Sequence, residues 1–157
     1  MKLSTKGRYG LRAVLDLAVH ADEEAVALSQ IAERQQISMN YLEQLIAKLK
    51  KVGIVNGIRG AQGGYKLSRP AEEISVGDIL RALEGDLNPV DCSEVSHSDS
   101  ICNHSDSCVT KYVWKRISDS INEAVDGIKL SELVTESKKV QTGLSNSDTK
   151  AKQTCGK

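Results

Sequence analysis

Two amphipathic segments and a glycine-rich run follow one another between Ser29 and Leu67, and this order restricts the chain to few folds. The second segment, which begins at Met39, places apolar side chains three and four residues apart, the spacing of one helix face. Those side chains are Leu42, Leu45, Ile46 and Leu49. The first segment has a shorter apolar face, formed by Ile31, Ala32 and Ile37. The pattern predicts a helix, a tight turn, a second helix and then a two-stranded ribbon.

Residues typical of helix ends lie at the predicted boundaries. Ser29 and Ser38 are candidate N-caps, because a serine hydroxyl can accept a hydrogen bond from an N–H of the first helical turn. Gly53 follows the last apolar position and predicts the end of the second helix, since glycine readily adopts the conformation found there. The two helices are therefore short and only a few residues apart.

After Gly53 the sequence predicts a β-hairpin. Strands are predicted at Ile54-Val55 and at residues 65–67, where Tyr65 and Leu67 supply the aromatic and aliphatic side chains of the second strand. Three glycines are assigned to the turn between them: Gly60, Gly63 and Gly64. A hairpin directly after a helix-turn-helix is typical of a winged helix, a mainly α fold with a small β-hairpin that places one helix in a DNA groove.

The second helix leaves polar side chains facing outward on its first turns, where a recognition helix contacts base edges. These residues are Asn40, Tyr41, Glu43 and Gln44. Asparagine and glutamine pair well with adenine, and glutamate can accept a hydrogen bond from cytosine N4. Arg59 is predicted at the wing tip, from which an arginine can enter a narrow minor groove. Lysines near the helix end are expected to meet phosphates: Lys48, Lys50 and Lys51.

An amphipathic run near the N-terminus predicts a further helix. Its apolar stripe consists of Leu11, Val14, Leu15 and Ala18. Four cations surround its start: Lys2, Lys6, Arg8 and Arg12. Because the helix dipole and these cations both favour negative charge, an anion is expected at this helix start.

The chain divides into three predicted segments. Residues 1–70 form the winged helix-turn-helix DNA-binding domain. Residues 71–136 hold a helix opened by a capping box at Ser75 and Asp78 and ended by Gly85, then a cysteine loop and a dimerisation helix. Residues 137–157, polar and rich in lysine, serine and threonine, form a disordered tail.

The helix after the cysteine loop carries apolar residues at steps of four, four, four and three. They are Val113, Ile117, Ile121, Val125 and Ile128. A long helix attached to a reader of short DNA predicts a homodimer, because symmetric operators need two readers one helical turn apart.

Charge is unevenly distributed in this neutral chain of 157 residues. Residues 1–70 hold eleven Lys or Arg and six Asp or Glu, whereas residues 71–136 hold five and fourteen. The basic N-terminal region favours a phosphate-bearing partner. The start of the chain turns polar at once, and no apolar run approaches the roughly 20 residues that span a bilayer. A soluble, cytoplasmic protein is therefore expected.

Three cysteines lie in a polar, acidic stretch and form the candidate metal site. Nine residues separate Cys92 from Cys102, and five separate Cys102 from Cys108. Other potential ligands lie among them: His97, His104 and Asp106. In a cytoplasmic protein such clusters favour metal or redox chemistry, and three thiolates with one further ligand suit zinc or an iron–sulfur cluster. Cys155 lies far away in the tail and is treated as incidental.

Residues 1–135 resemble the IscR-type iron–sulfur cluster regulators, a bacterial winged-helix repressor family. The resemblance is carried by Ser4-Thr-Lys-Gly-Arg-Tyr-Gly10, residues 31–35, 41–45, 55–60, 63–65 and 76–78, and the three cysteines. It implies a homodimer that carries one [2Fe–2S] cluster per protomer, bound by Cys92, Cys102 and Cys108. It also implies that the protein regulates genes of cluster assembly and genes of cysteine or iron metabolism. It also implies DNA contacts by Ser38, Asn40, Tyr41, Glu43, Gln44 and Arg59.

One position departs from the family pattern. The best-known members have a histidine three residues after the third cysteine, where this chain has Lys111. His104 is our first choice for the fourth ligand, with Asp106, Glu43 and solvent left open. An exchangeable ligand would make the cluster labile, which suits a sensor.

Two other kinds of regulator, a protein-binding module and an enzyme are the alternative functions. A zinc- or thiol-redox-responsive repressor would use the same fold, and a related group without the cysteines senses cysteine supply through a partner enzyme. A module that binds only proteins would lack the steep salt dependence of DNA binding. An enzyme is disfavoured, because no Ser/His/Asp arrangement is present and the glycine-rich run at residues 60–64 joins two strands without opening a helix.

Overall fold

The structure is a computed structural model that describes residues 4–20, 25–90 and 108–143. Within these residues it contains six α-helices and one two-stranded antiparallel sheet. The helices are α1 (Thr5–His20), α2 (Leu28–Gln35), α3 (Met39–Lys51), α4 (Val76–Glu84), α5 (Thr110–Gly127) and α6 (Leu130–Gln141). The strands are β1 (Val55–Ile58) and β2 (Gly64–Leu67), and a short 3-10 helix lies at Ala71–Glu73. This mainly α architecture with a small hairpin confirms the predicted fold class.

The aliphatic faces of α1, α2 and α3 meet in one core. Helix α3 contributes its whole predicted stripe, no member of which is more than 1% exposed: Leu42, Leu45, Ile46 and Leu49. The stripe of α1 is centred on Val14 and Leu17, both fully buried. Leu11, Leu15 and Ala18 lie partly buried at its edge. Because the sequence contains no phenylalanine, the core depends on close packing of aliphatic side chains.

The helix starts show which predicted caps form. The capping box is confirmed: the Asp78 main-chain N–H donates to Ser75 Oγ, and the Ser75 N–H donates to Asp78 Oδ2, each at 3.0 Å. Ser38 occupies the N-cap position of α3, but its side chain makes no capping hydrogen bond. The prediction that Ser29 caps α2 is wrong, because Ala27 holds the N-cap position and its carbonyl accepts the first main-chain hydrogen bonds of the helix.

The hairpin gains a third strand-like partner from the segment before α2. The Val26 main-chain N–H donates to the Tyr65 carbonyl at 3.0 Å, and the Tyr65 N–H donates to the Val26 carbonyl at 2.9 Å. Gly64, which was predicted in the turn, is the first residue of β2. A Cβ atom at Gly64 would lie 2.5 Å from the Val26 carbonyl oxygen, so glycine is needed for this close pairing.

Helices α1 and α4 approach so closely that two positions of α1 have no room for a side chain. A Cβ atom at Gly7 would lie 2.7 Å from Glu84 Oε1. A Cβ atom at Gly10 would overlap the side chain of Leu83. These two glycines therefore allow α4 to pack directly on the first helix of the winged-helix unit.

Helix α5 packs along α4. Arg81 donates to Asn122 Oδ1 at 2.9 Å and forms an ion pair with Asp126. A side chain at Gly77 would overlap Asp126, so this contact is also close. The apolar residues at the contact are Val76, Leu80, Leu87, Ile121 and Val125. The C-terminal half of the predicted α5 stripe is therefore covered largely within the chain.

Helix α6 returns to the core and continues beyond the predicted start of the tail. Leu130 is fully buried, and its main-chain N–H donates to the Ile74 carbonyl at 2.9 Å. The helix ends at Gln141, so the prediction of disorder from residue 137 is corrected for residues 137–141. An ion pair of 2.7 Å between Glu136 and Lys139, with lysines near the helix C-terminus, favours this extension. Residues 144–157, which include Cys155, lie outside the described residues.

We expect Gly10→Ala to reduce the free energy of unfolding by about 1–3 kcal/mol, because the added methyl group would overlap Leu83 in a close-packed contact. Chemical denaturation followed by circular dichroism measures this change. Gly127→Ala is the matched control, since nothing lies within 4 Å of the Cβ position at this helical glycine and alanine favours helix. Equal effects of the two substitutions would contradict the packing argument.

Candidate nucleic-acid interface

The first two turns of α3 present polar side chains to solvent. Asn40, Glu43 and Gln44 are exposed, as is Ser38 at the N-cap position. Their orientation follows from the buried stripe of α3, because side chains on the opposite face of a helix must point away from the core. The structure thus brings four of the six predicted DNA-contacting residues onto one accessible end of α3.

Tyr41 differs from its neighbours, because it is half-buried against α1. Its ring meets the Tyr9 ring edge-to-face, with centroids 6.1 Å apart, and its hydroxyl lies 3.2 Å from Thr5 Oγ1. The Arg12 guanidinium lies 5.6 Å from the Tyr9 ring centroid. Tyr41 therefore fixes the position of α3 relative to the start of α1, in addition to the DNA contact that we predicted for it.

The wing places Arg59 directly after β1, in an exposed position. The turn that follows is closed by a hydrogen bond of 3.0 Å from the Gly63 main-chain N–H to the Gly60 carbonyl. Gly60 has a φ of +128°, which disfavours any other residue. Arg59 is thus held at the end of a strand with its side chain accessible.

The lysines of α3 do not all face solvent in the same way. Lys50 and Lys51 are exposed in its last turn. Lys48 Nζ donates to the Leu83 carbonyl at 3.3 Å, near the end of α4. Because that carbonyl is one of those left without a partner inside the helix, Lys48 caps α4. Lys48 therefore has a partner within the fold, and its contact with a phosphate stays a prediction.

The anion expected at the start of α1 is supplied by the protein itself. Glu84 Oε1 accepts hydrogen bonds from the Ser4 hydroxyl at 2.6 Å, the Ser4 N–H at 3.0 Å and the Gly7 N–H at 2.8 Å. Burial disfavours ionisation of this carboxyl, but these hydrogen bonds outweigh it and hold the pKa of Glu84 below its ordinary value. The α1 N-terminus is therefore satisfied from within the fold.

A buried carboxylate joins α1 to α2. The side chain of Asp16 is 2% exposed and accepts two hydrogen bonds from Arg34, through Nε at 3.1 Å and Nη2 at 2.6 Å. Gln35 Nε2 donates to the same carboxylate at 2.8 Å. Apolar periodicity could not identify this contact, and its one sequence signal is an acid between Leu15 and Leu17. The network holds the helix-turn-helix against α1.

Cys108 is the one member of the candidate metal site that lies within the described residues. It precedes α5 by two residues, and its Sγ lies 3.1 Å from Thr110 Oγ1. The Thr110 hydroxyl and the Lys111 main-chain N–H stabilise the thiolate and hold the pKa of Cys108 below its ordinary value. Since the thiolate is the form that binds metal, the environment of Cys108 fits a ligand.

Apart from the alternative ligand Glu43, which is exposed on α3, the other predicted ligands lie outside the described residues. They are Cys92, Cys102 and His104, and the alternative ligand Asp106 is among them. Within residues 4–20, 25–90 and 108–143, no three His, Cys, Asp or Glu side chains are arranged to hold a metal ion. Cys108 is therefore the one predicted cysteine ligand whose surroundings the structure describes.

An apolar surface runs along the N-terminal half of α5. Val109 and Tyr112 are each 78% exposed and Val113 is 54% exposed, and the surface continues to Ile117. Large side chains exposed together in this way typically mark an interaction site. In the described part of the chain, no helix has the length and apolar character needed to cross a membrane.

Comparison with known proteins gives a consistent result. Residues 3–136 match the Rrf2 model, described as an iron-dependent transcriptional regulator. A curated relative, the HTH-type transcriptional regulator IscR of Aliivibrio salmonicida (strain LFI1238), is 42% identical over 136 residues, which are 87% of this chain and 79% of the relative.

Two solved structures are similar in both fold and sequence. T. potens IscR superposes with a TM-score of 0.70 at 45% identity, covering 90% of this chain and 91% of that one. CymR (YrzC), titled the global cysteine regulator of B. subtilis, superposes with a TM-score of 0.69 at 38% identity. The match covers 87% of this chain and 98% of CymR.

The carboxylate of Glu84 should stabilise the fold only at pH values at which it is ionised. Because the folded pKa is lowered, this stabilisation is fully present above the ordinary glutamate pKa of about 4.3 and is lost as pH falls through the folded pKa. We expect Glu84→Gln to lower the free energy of unfolding by about 1 kcal/mol at pH 7, the typical cost of a lost helix cap. The difference in free energy of unfolding between the variant and the wild type should shrink below that ordinary pKa. Denaturation from pH 7 to pH 3 measures it.

Glu72→Gln is the control, because Glu72 is an exposed glutamate of the 3-10 helix. This variant should unfold like the wild type at neutral pH. A difference between Glu84→Gln and wild type that grows on acidification would show that the carboxylate is not the stabilising form.

Proposed function

The chain belongs to the Rrf2 family of transcriptional regulators, and from this premise we propose that it senses an iron–sulfur cluster and controls genes of cluster assembly. Its relatives are regulators and not enzymes, and the chain is a DNA-binding regulator of transcription. The proposal adds a [2Fe–2S] cofactor on Cys92, Cys102 and Cys108, a homodimeric state and action in the cytoplasm. Genes of cysteine or iron metabolism are further candidate targets.

The environment of Cys108 is the observation that carries the cofactor proposal. Its thiol lies beside the start of α5, with a hydroxyl 3.1 Å away and a pKa lowered toward the metal-binding form. Two further cysteines precede it within sixteen residues, in a stretch without lysine or arginine. A thiolate-rich segment of this kind suits an iron–sulfur cluster or zinc.

The fourth ligand proposed is His104. Lys111 occupies the position of the histidine of the best-known members, and its main-chain N–H helps to hold the pKa of Cys108 below its ordinary value. A bound cluster would supply a cofactor whose presence depends on iron, sulfide and oxidants. An imidazole or an exchangeable fourth ligand would let the cluster be gained or lost as the supply of iron, sulfide and oxidants in the cell changes.

Contacts within the chain connect Cys108 to the DNA-reading end. Cys108 lies two residues before α5, α5 is fastened to α4 through Arg81 and Asp126, and α4 ends at Glu84 on the α1 start. The α1 start in turn contacts Tyr41 of α3 through Thr5. A change at the cysteines can therefore alter the setting of α3, and DNA must then alter cluster affinity by the same factor.

The proposed DNA contacts are Ser38, Asn40, Tyr41, Glu43, Gln44 and Arg59. Their accessibility on α3 and the wing supports these roles, because N-terminal residues of a recognition helix contact base edges and a wing arginine can enter the minor groove. The exposed Lys50 and Lys51 add phosphate contacts.

The apolar surface of α5 supports the homodimer. Val109, Tyr112, Val113 and Ile117 lie exposed at the start of α5, which follows Cys108 by two residues. Pairing two such helices would bury this surface and would hold two recognition helices for a symmetric operator. The cysteines would then lie next to the dimer contact, where their state can affect both readers.

A second function has specific support. The similarity to the cysteine regulator CymR has nearly the same TM-score as the similarity to IscR, 0.69 against 0.70. A regulator of cysteine metabolism acting through a partner enzyme therefore fits the same fold, as does a zinc- or thiol-redox-responsive repressor. The three clustered cysteines favour the cluster-sensing function.

The decisive experiment is purification without air. We expect coloured protein that contains iron and sulfide in equal amounts, and Cys92→Ala, Cys102→Ala or Cys108→Ala should each abolish the colour, because three thiolates hold the cluster. Visible absorption spectra with iron and sulfide analysis measure this. Cys155→Ala is the matched control and should retain full colour.

Colourless protein that binds one zinc ion through the same three cysteines would replace the cluster with the zinc-responsive alternative. Loss of colour in the Cys155→Ala variant would show that the assigned ligand set is wrong. Protein that holds no metal when prepared without air would favour the regulator that acts through a partner enzyme.

A further inference from the structure

Met39 is an apolar side chain that the core of the protein does not use. It is the first residue of α3 and is 42% exposed, whereas the other large aliphatic side chains of that helix are at most 1% exposed. It is not among the partly buried residues that pack against the core, although Tyr41 is. The fold of the described residues therefore gives Met39 no packing role.

Its neighbours on the helix surface are the proposed base-contacting residues. Positions four apart lie one above the other on a helix, so Met39 lies beside Glu43, and Asn40 follows it in the same turn. Ser38 precedes it without forming a side-chain cap. Met39 is thus a single apolar group at the edge of a polar, accessible surface.

Major-groove base edges offer hydrogen-bond donors and acceptors and one apolar group, the 5-methyl of thymine. A flexible thioether side chain at the N-terminal end of a recognition helix is suited to contact that methyl group. We propose that Met39 is a specificity-determining residue that reads the thymine methyl group in the operator. This inference rests on the proposed role of α3 as the recognition helix.

The position of Met39 makes the inference specific. An exposed methionine elsewhere on a protein needs no explanation. At the first turn of a recognition helix, however, the side chain becomes buried when the helix enters the groove. The thymine should lie within one base step of the pair contacted by Asn40 or Glu43, since these residues flank Met39.

The test removes one methyl group from the DNA and one side chain from the protein. An operator is first selected from random duplexes with the full-length chain, and each thymidine of one half-site is then replaced by deoxyuridine, which lacks only the methyl group. With the wild type, we expect one replacement to weaken binding about fourfold, the value of one buried methyl-sized group. With Met39→Ala, thymidine and deoxyuridine should bind equally there.

Two variants serve as controls. Val52→Ala alters another exposed aliphatic residue, at the opposite end of α3, and should keep the deoxyuridine penalty. Asn40→Ala should weaken binding to every duplex and also keep the penalty. Met39→Ala should melt at the wild-type temperature, because its side chain is not part of the core.

The outcomes separate this inference from the proposal on which it rests. If Asn40→Ala weakens binding but Met39→Ala retains the deoxyuridine penalty, or no deoxyuridine replacement weakens wild-type binding, the role of Met39 is refuted and α3 remains the reader. If neither substitution changes binding to the selected operator, the assignment of α3 as recognition helix fails as well.

Discussion

The close contact between α1 and α4 is the constraint on which the rest of the structure depends. Gly7 and Gly10 leave no room for side chains, and Glu84 uses that space to bind the main chain at the α1 start. The first N–H groups of a helix have no carbonyl acceptor within the helix, and a polar side chain that accepts their hydrogen bonds also fixes the direction of the helix. The winged-helix unit and the segment that follows it are thereby held as one body.

This arrangement would let the cysteine-containing segment, which we propose as the sensor, affect DNA binding. Helix α4 ends at Glu84, a few residues before the cysteine-containing stretch. Cys108, at the other end of that stretch, lies two residues before α5, which packs against α4 through Arg81 and Asp126. Both ends of the cysteine stretch are therefore attached to α4. Because Glu84 holds the α1 start and Thr5 lies beside Tyr41, the physical chain of contacts reaches α3, the proposed recognition helix.

Local sequence patterns predicted much of this fold. The spacing of Leu42, Leu45, Ile46 and Leu49 predicted the buried face of α3, and Ser75 with Asp78 predicted the start of α4. These succeed because helical periodicity and capping are interactions between residues a few positions apart. The exposed positions of Asn40, Glu43 and Gln44 follow from the same periodicity.

Contacts between distant residues were not predictable in this way. Glu84 and Ser4 are eighty positions apart, so no local pattern connects them, and the sequence predicted an anion at the α1 start without identifying it as Glu84. Lys48 caps α4 through the Leu83 carbonyl, and no local pattern connects these residues either. The glycines at residues 7 and 10 were recognised as part of a motif, but their cause, the approach of α4, exists only in the folded chain.

We propose that loss of the cluster from the cysteines changes how α3 binds DNA. The most direct measurement is the dissociation constant of the full chain for its selected operator, determined without air for the cluster-loaded and the cluster-free protein. Typical couplings between two sites change affinity about 5- to 150-fold, and the account predicts a change in that range. Equal dissociation constants for the two forms at every operator tested would contradict it.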